Sequence, residues 1–203
     1  MSSSEPPASV DVVVKVGGAL VETIAALDAV LAAVAAAAPS CRIVIVPGGG
    51  PFADVVRRVD RRMRLPDTAA HWMAVLAMDQ YAHLIGARLA NAALVAESRE
   101  VAAAIDGRRI PVLAPSRWLR ETDPLPHSWD VTSDSIAAWV AGQLGARRLV
   151  LVKPPGVDAT SEAVDPYFTR ALPPGTDAVI VAADHVDALR SALLEFPYVG
   201  PGL

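Results

Sequence analysis

Two short runs in this chain are almost wholly branched and apolar, and each ends in glycine. Val10 to Val16 reads Val-Asp-Val-Val-Val-Lys-Val and leads into Gly17-Gly18. Arg42 to Val46 reads Arg-Ile-Val-Ile-Val and leads into Pro47-Gly48-Gly49-Gly50. A strand with one wet face alternates apolar and polar side chains. A run without alternation is buried on both faces, as in parallel sheets covered by helices. Between the two runs, Glu22 to Ala38 reads as a helix stopped by Pro39. Strand, helix and strand in this order predict an α/β fold: a three-layer αβα sandwich with a mostly parallel central sheet.

The pattern continues to the end of the chain. Phe52 to Met63 predicts a helix that is basic on one side, and Thr68 to Glu97 a long helix, or two broken near Gly86 or Asn91. Val101 to Ile105 and Ile110 to Leu113 predict short strands, and Ser116 to Ser128 a loop rich in proline and charge. Ser133 to Leu144 predicts a helix capped by Thr132 or Ser133. Arg148 to Val152 is a further buried strand and Lys153 to Pro174 is irregular. Ala178 to Ala182 is a late strand, and Asp187 to Leu194 the last helix. Residues 1–9 are rich in serine and proline and predict a mobile tail, leaving 10–203 as one domain.

Composition narrows the function. Hydrophobic residues are 53% of the 203, enough for a sizeable core and too many for a disordered chain. Net charge is −4 with no basic stripe, which argues against a nucleic-acid partner. The single cysteine, Cys41, excludes an internal disulfide and a cysteine-based zinc site, and reads as a small buried hydrophobe. The most apolar helical run, Ile24 to Ala38, spans about 23 Å at ~1.5 Å per residue, short of a ~30 Å bilayer core. No basic and apolar leader precedes it. The expectation is a cytoplasmic protein with no membrane partner.

The chemistry gathers where strands end. Glycine lets main chain approach an anion closely, and amides at a helix start attract phosphate. Gly48 to Gly50, followed by Pro51 at a position suited to a helix start, predict such a cradle. The Walker pattern is absent. The dinucleotide fingerprint matches once, as Gly48-x-Gly50-x-x-Ala53 with Asp67 beyond it, which admits a nicotinamide-dependent oxidoreductase. That reading accounts for neither Lys15 nor the first glycine pair. Lys15, an ammonium near the end of an apolar strand and beside two glycine loops, suits bridging phosphates. Asp130 to Asp134 opens a helix and serves either as its cap or as a carboxylate that orients Lys15. On the long helix, Trp72, Leu76, Asp79 and His83 share a face, with His71, Met78 and Ala82 beside it. Asp79 and His71 either serve packing or read the substrate, for instance an amine on it. Because this helix is apolar on more than one side, a homo-oligomer is expected.

Taken together, Lys15-Val16-Gly17-Gly18, Val46-Pro47-Gly48-Gly49-Gly50 with Phe52, Asp54 and Arg57, and Val131-Thr132-Ser133-Asp134 resemble the amino acid kinase family. His71-Trp72-Met73-Ala74 and Val164-Asp165-Pro166-Tyr167-Phe168 look most like its branch acting on an aminomethyl-furan methyl phosphate in methanofuran biosynthesis. The resemblance implies an ATP-dependent kinase with a small phosphorylated acceptor, using ATP and Mg2+. It implies that Lys15 contacts the transferring phosphoryl group and that Asp134 orients that lysine. Gly17, Gly18, Thr132, Ser133 and Lys153 would bind nucleotide or phosphate. Gly48, Gly49, Gly50, Phe52, Asp54, Arg57, His71 and Asp79 would bind the acceptor. The acceptor part would span about 10–115 and the nucleotide part about 129–200. Two features depart from the family. The turn after Arg148 to Val152 reads Lys153-Pro154-Pro155-Gly156-Val157-Asp158, and no later glycine loop carries a second lysine. Lys153 is the candidate for that charge. The same departures admit a non-catalytic nucleotide or oxyanion binder on the same fold.

Overall fold

A computed structural model of the chain describes residues 10–158, 160 and 163–195. The expected tail over residues 1–9 lies outside the described residues, as do 196–203 at the end of the expected domain. Six strands form one sheet: β1 (Val12–Val16), β2 (Ile43–Pro47), β3 (Ala92–Val95), β4 (Ile110–Leu113), β5 (Arg148–Lys153) and β6 (Asp177–Ala182). Their order is β3-β4-β2-β1-β5-β6, and every pairing is parallel. The helices are α1 (Ile24–Ala37), α2 (Gly50–Met63), α3 (Asp67–Arg88), α4 (Ser98–Asp106), α5 (Ser116–Thr122), α6 (Ser133–Gln143), α7 (Phe168–Ala171) and α8 (Val186–Leu194).

The period of two along a strand sorts the core. Val12, Val14 and Val16 of β1 pack with α1, α8 and the Tyr81 and Ile85 side of α3. Val13, with Leu149 and Leu151 of β5, packs on the opposite face against α6 and Phe168 of α7. Lys15 continues the face of Val13, and Lys153 continues the face of Leu149 and Leu151. In register, Lys15 lies opposite Val46 on one side and Leu151 on the other. Both lysines are therefore aimed at the layer that holds α6.

The unalternating strands come out as read, and the middle of the chain differs. The expected long helix ends at Arg88, and Asn91 turns at φ +60° into β3. That strand is Ala-Ala-Leu-Val, whose two alanines carry no strand preference of their own. The expected strand Val101 to Ile105 is helical instead, inside α4. Val101 and Ala104 are its buried residues, and their spacing of three is a helical one. The expected loop from Ser116 forms α5, which buries Trp118 and Leu119. A 3-10 turn over Gly18–Glu22 precedes α1. Cys41 is buried, and burial with the Asp11 charge pushes its thiol up to about 11, so it is inert as a nucleophile. Among the described residues, no helix is long and apolar enough to cross a membrane.

Candidate functional site

Parallel pairing brings the carboxyl ends of β2, β1 and β5 to one edge, which is where open α/β sheets bind ligands. The glycine loops meet there main chain against main chain. The Gly17 amide donates to the Val152 carbonyl at 2.9 Å, and the Gly48 amide donates to the Val16 carbonyl at 2.8 Å. A Cβ on Gly18 would stand 2.0 Å from the Gly50 nitrogen, and one on Gly48 would stand 2.5 Å from the Gly18 nitrogen. Gly50 itself sits at φ +54°. These glycines are thus required by loop-on-loop packing before any ligand is considered. Gly18→Ala should push the two loops apart and destabilise the fold by about 1–3 kcal/mol, the scale of overpacking in a well-packed place. Urea melts check this, and unchanged stability would show that the loops need not touch.

Behind the loops lies a buried trio. The Lys15 ammonium stands 2.9 Å from Asp134 Oδ1, and the Lys153 ammonium 2.7 Å from Asp134 Oδ2. Exposure is 5% for Lys15, 5% for Asp134 and 8% for Lys153. The chain contains two lysines against sixteen arginines, and both lysines are in this trio. Burial pushes the Asp134 carboxyl up, but Lys15 and then Lys153 outweigh it and hold the group below its usual value. Burial and the neighbouring Lys15 charge lower Lys153, with Asp134 only partly offsetting them. The trio carries one net positive charge in a dry place, where charge acts strongly.

Asp134 is placed by the start of α6, and that start is built differently from the expectation. Thr132 is the N-cap by position, yet its side chain accepts no capping bond. Instead, Asp165 serves as the acceptor. Its Oδ2 accepts from the Thr132 amide at 2.9 Å, the Thr132 hydroxyl at 2.8 Å and the Ser135 amide at 3.0 Å. Its Oδ1 accepts from the Ser135 hydroxyl. Sequence reasoning gave Asp165 no role, because the acceptor lies 30 to 33 residues from its donors.

Beside the loops opens a cavity of about 210 Å³. Gly18, Gly49 and Gly50 form one side, α2 contributes Asp54 and Arg57, α3 contributes Asp67 and His71, and Trp129, Thr132 and Ser133 close it. Several candidates therefore meet at one opening. Lys15, Asp134, Lys153, Gly17 and Gly48 are not on its wall; the trio adjoins it through Ser133, the neighbour of Asp134. Phe52 packs on the core and Asp79 accepts from the Ser116 amide at 3.1 Å, so neither faces the cavity. Arg57 pairs with Asp54 at 2.8 Å and lies over the Trp129 ring at 4.9 Å. The indole of Trp129, which sequence reasoning did not assign to a site, donates to Asp60 at 2.8 Å.

His71 stacks on His127 with ring centroids 4.3 Å apart, and His127 in turn meets Asp123 and Thr68. Burial, then the His127 charge, lower His71 to about 4. It is therefore neutral near pH 7 and does not receive an amine through charge. Between pH 6.5 and 4 the unfolded chain binds a proton here that the folded chain does not, so this group's contribution to stability falls as pH drops through that window. His71→Phe should flatten that fall in urea melts at pH 7 and pH 5. An unchanged slope would mean that His71 titrates normally.

Residues 12–158 match the family model described as the amino acid kinase family. The chain is 33% identical over 159 residues, 77% of this chain and 67% of the relative, to the [5-(aminomethyl)furan-3-yl]methyl phosphate kinase of Methanocaldococcus jannaschii. Its fold is similar to the uridylate kinase of Archaeoglobus fulgidus, with a TM-score of 0.68 and 15% identity over 91% of this chain and 96% of that one. The UMP kinase of Ureaplasma parvum gives 0.67 and 14% over 93% and 96%.

Proposed function

This chain belongs to the amino acid kinase family and is a phosphotransferase, and from that premise we propose that it moves the γ-phosphoryl group of ATP onto an aminomethyl-furan methyl phosphate, in methanofuran biosynthesis. The observation that carries this reading is the burial of both lysines of the chain on one carboxylate, beside glycine loops and a cavity. The acceptor named for the 33%-identical relative supports the choice of substrate.

A phosphate acceptor is already ionised at neutral pH, so no general base is needed. Catalysis is positioning and charge neutralisation. Lys15 and Lys153 offset the charge that spreads over the transferring oxygens, and Asp134 keeps both ammonium groups aimed. Gly18 and Ser133, both on the cavity wall, offer an amide and a hydroxyl to the nucleotide phosphates. Gly17 and Thr132, whose donors are taken by the Val152 carbonyl and by Asp165, hold the loop and the helix start in place. Gly49, Gly50 and Arg57, on the cavity wall, hold the acceptor phosphate, and Gly48, bonded to the Val16 carbonyl, seats the loop that carries the two glycines. Among the described residues no cluster of three acidic, histidine or cysteine side chains would hold a metal. Mg2+ carried on the ATP phosphates, as is common for that ion, would supply charge neutralisation. Residues of about 10–115 serve the acceptor and those of about 129–200 the nucleotide. A homo-oligomer through α3 belongs to the same proposal, supported by Met73 and Leu76, which lie exposed on that helix.

The cavity has two carboxylates. Asp54 is tied to Arg57, while Asp67, in the first turn of α3, has no cation partner among the described residues. Asp67 is the group that receives the acceptor's ammonium. Asp67→Asn should raise KM for the amine-bearing acceptor about tenfold, the worth of one ~1.4 kcal/mol contact, and leave a des-amino analogue unaffected. Equal KM values for wild type and variant would remove Asp67 from recognition.

The reading is tested by incubating the protein with MgATP and the furan methyl phosphate, following ADP release and the 31P signals of a new diphosphate. Both are expected. ADP release with UMP and none with the furan phosphate would overturn the acceptor. ATP binding without turnover on any phosphate would overturn the kinase reading in favour of a binder.

A further inference from the structure

The hydrogen bonds around the start of α6 single out a residue that neither the mechanism above nor the glycine motifs employ. We infer that Asp165 is a positioning residue: it fixes the first turn of α6 and so sets Asp134 between Lys15 and Lys153. The inference rests on the phosphoryl-transfer reading for its kinetic consequences only.

Asp165 is 8% exposed and takes four donors, two amides and two hydroxyls, all from Thr132 and Ser135. Those two residues bracket Ser133 and Asp134. In an ordinary capped helix the N-cap side chain itself accepts the amide three residues on. Here the Thr132 hydroxyl is a donor, so the helix start has no local acceptor and depends on a carboxylate from another part of the chain. Negative charge at this end of a helix is favourable in its own right.

Asp134 needs this support. Among the described residues, its Oδ1 meets the Lys15 ammonium at 2.9 Å and its Oδ2 the Lys153 ammonium at 2.7 Å. Both partners are the far ends of long, flexible side chains. A carboxylate between two flexible lysines has few constraints of its own on where it points. Its position is that of its backbone, and Asp165 fixes that backbone on both sides. Lys153, the last residue of β5, and Asp165 both bind the first turn of α6. The Asp165 charge reaches Lys153 as well, favouring its charged form.

Asp165→Asn replaces one acceptor oxygen with an NH2 group that faces donors. It should lower kcat roughly 10²-fold, as small displacements at a reacting centre do, while KM for ATP and for the acceptor stays within about threefold. A second readout needs no turnover. Because Lys15 and Lys153 are the only lysines, acetylation by an amine-reactive ester reports on the trio directly by mass spectrometry. Both should be slow to react in the wild type and at least about tenfold faster in Asp165→Asn, as the paired, buried ammonium groups become free. Ser135→Ala, which keeps the carboxylate and removes one donor, should show both effects severalfold and decides the matter if Asp165→Asn does not fold. A folded Asp165→Asn with wild-type kcat and wild-type labelling overturns the inference, as does a rise in KM with kcat unchanged. If the wild type shows no turnover, the proposed function fails, and lysine labelling still decides the role of Asp165.

Discussion

Lys15→Ala is expected to lower kcat roughly 10³-fold and to leave the protein folded. Removing one preorganised charge partner of a transition state in a dry site typically has an effect of this size. The fold survives because Asp134 keeps its shorter partner, Lys153, at 2.7 Å. The trio goes from three charges with a net of plus one to a neutral pair, so no buried charge is left uncompensated. KM for ATP should move far less than kcat, since the lost interaction strengthens as charge builds in transfer. Circular-dichroism melts and steady-state kinetics check both halves. Near-normal turnover would remove Lys15 from the mechanism.

Asp134→Ala is expected to show the opposite profile, with its largest effect on stability. It leaves two ammonium groups facing each other in a buried place, and breaking a buried pair in this way costs about 3–5 kcal/mol. Removing Lys153 as well, in Asp134→Ala/Lys153→Ala, should restore part of the loss, because a single buried ammonium then remains. The effect is pH-dependent with a definite sign. The Asp134 carboxyl is held below its usual value of 3.8, chiefly by Lys15 once burial is overcome. Its contribution is therefore complete above pH 3.8 and is lost as pH falls through the lower folded value. Urea melts should show a wide gap between wild type and Asp134→Ala at pH 7, narrowing in acid below pH 3.8. A gap of under about 1 kcal/mol at pH 7, the scale of an exposed ion pair, would mean that the trio is solvated and not a buried assembly.

How much of this could be read without coordinates follows from the range of each interaction. β1 and β2 announce themselves because burial on both faces leaves no polar residue except Lys15, and that exception is the informative one. The glycines mark the loops because nothing larger fits where Gly18 meets Gly50. The pairing of Lys15 with Asp134 was available as one of two readings of the acidic junction, and its second lysine was available from the departure at Lys153. Asp165 was not available. It stands in the Val164 to Phe168 segment that resembles the family branch, but its donors are 30 to 33 residues away, so no spacing points to its role. The helix face of Asp79 admits either packing or reading of substrate, and its carboxylate meets the start of α5, an element the proline-rich sequence hid. β3 was hidden by its alanines, and the stacking of His71 on His127 joins residues 56 apart, beyond any helical spacing.

The central claim is that the Lys15, Asp134 and Lys153 trio and the two glycine loops serve one phosphoryl group. The most direct measurement is a crystal structure with a non-hydrolysable ATP analogue and the furan methyl phosphate bound. The account predicts the γ-phosphoryl group between Gly18 and Gly49, with the Lys15 ammonium within roughly 3 Å of its oxygens. A nucleotide bound elsewhere, with Lys15 still turned wholly onto Asp134 and away from every phosphate, would contradict it.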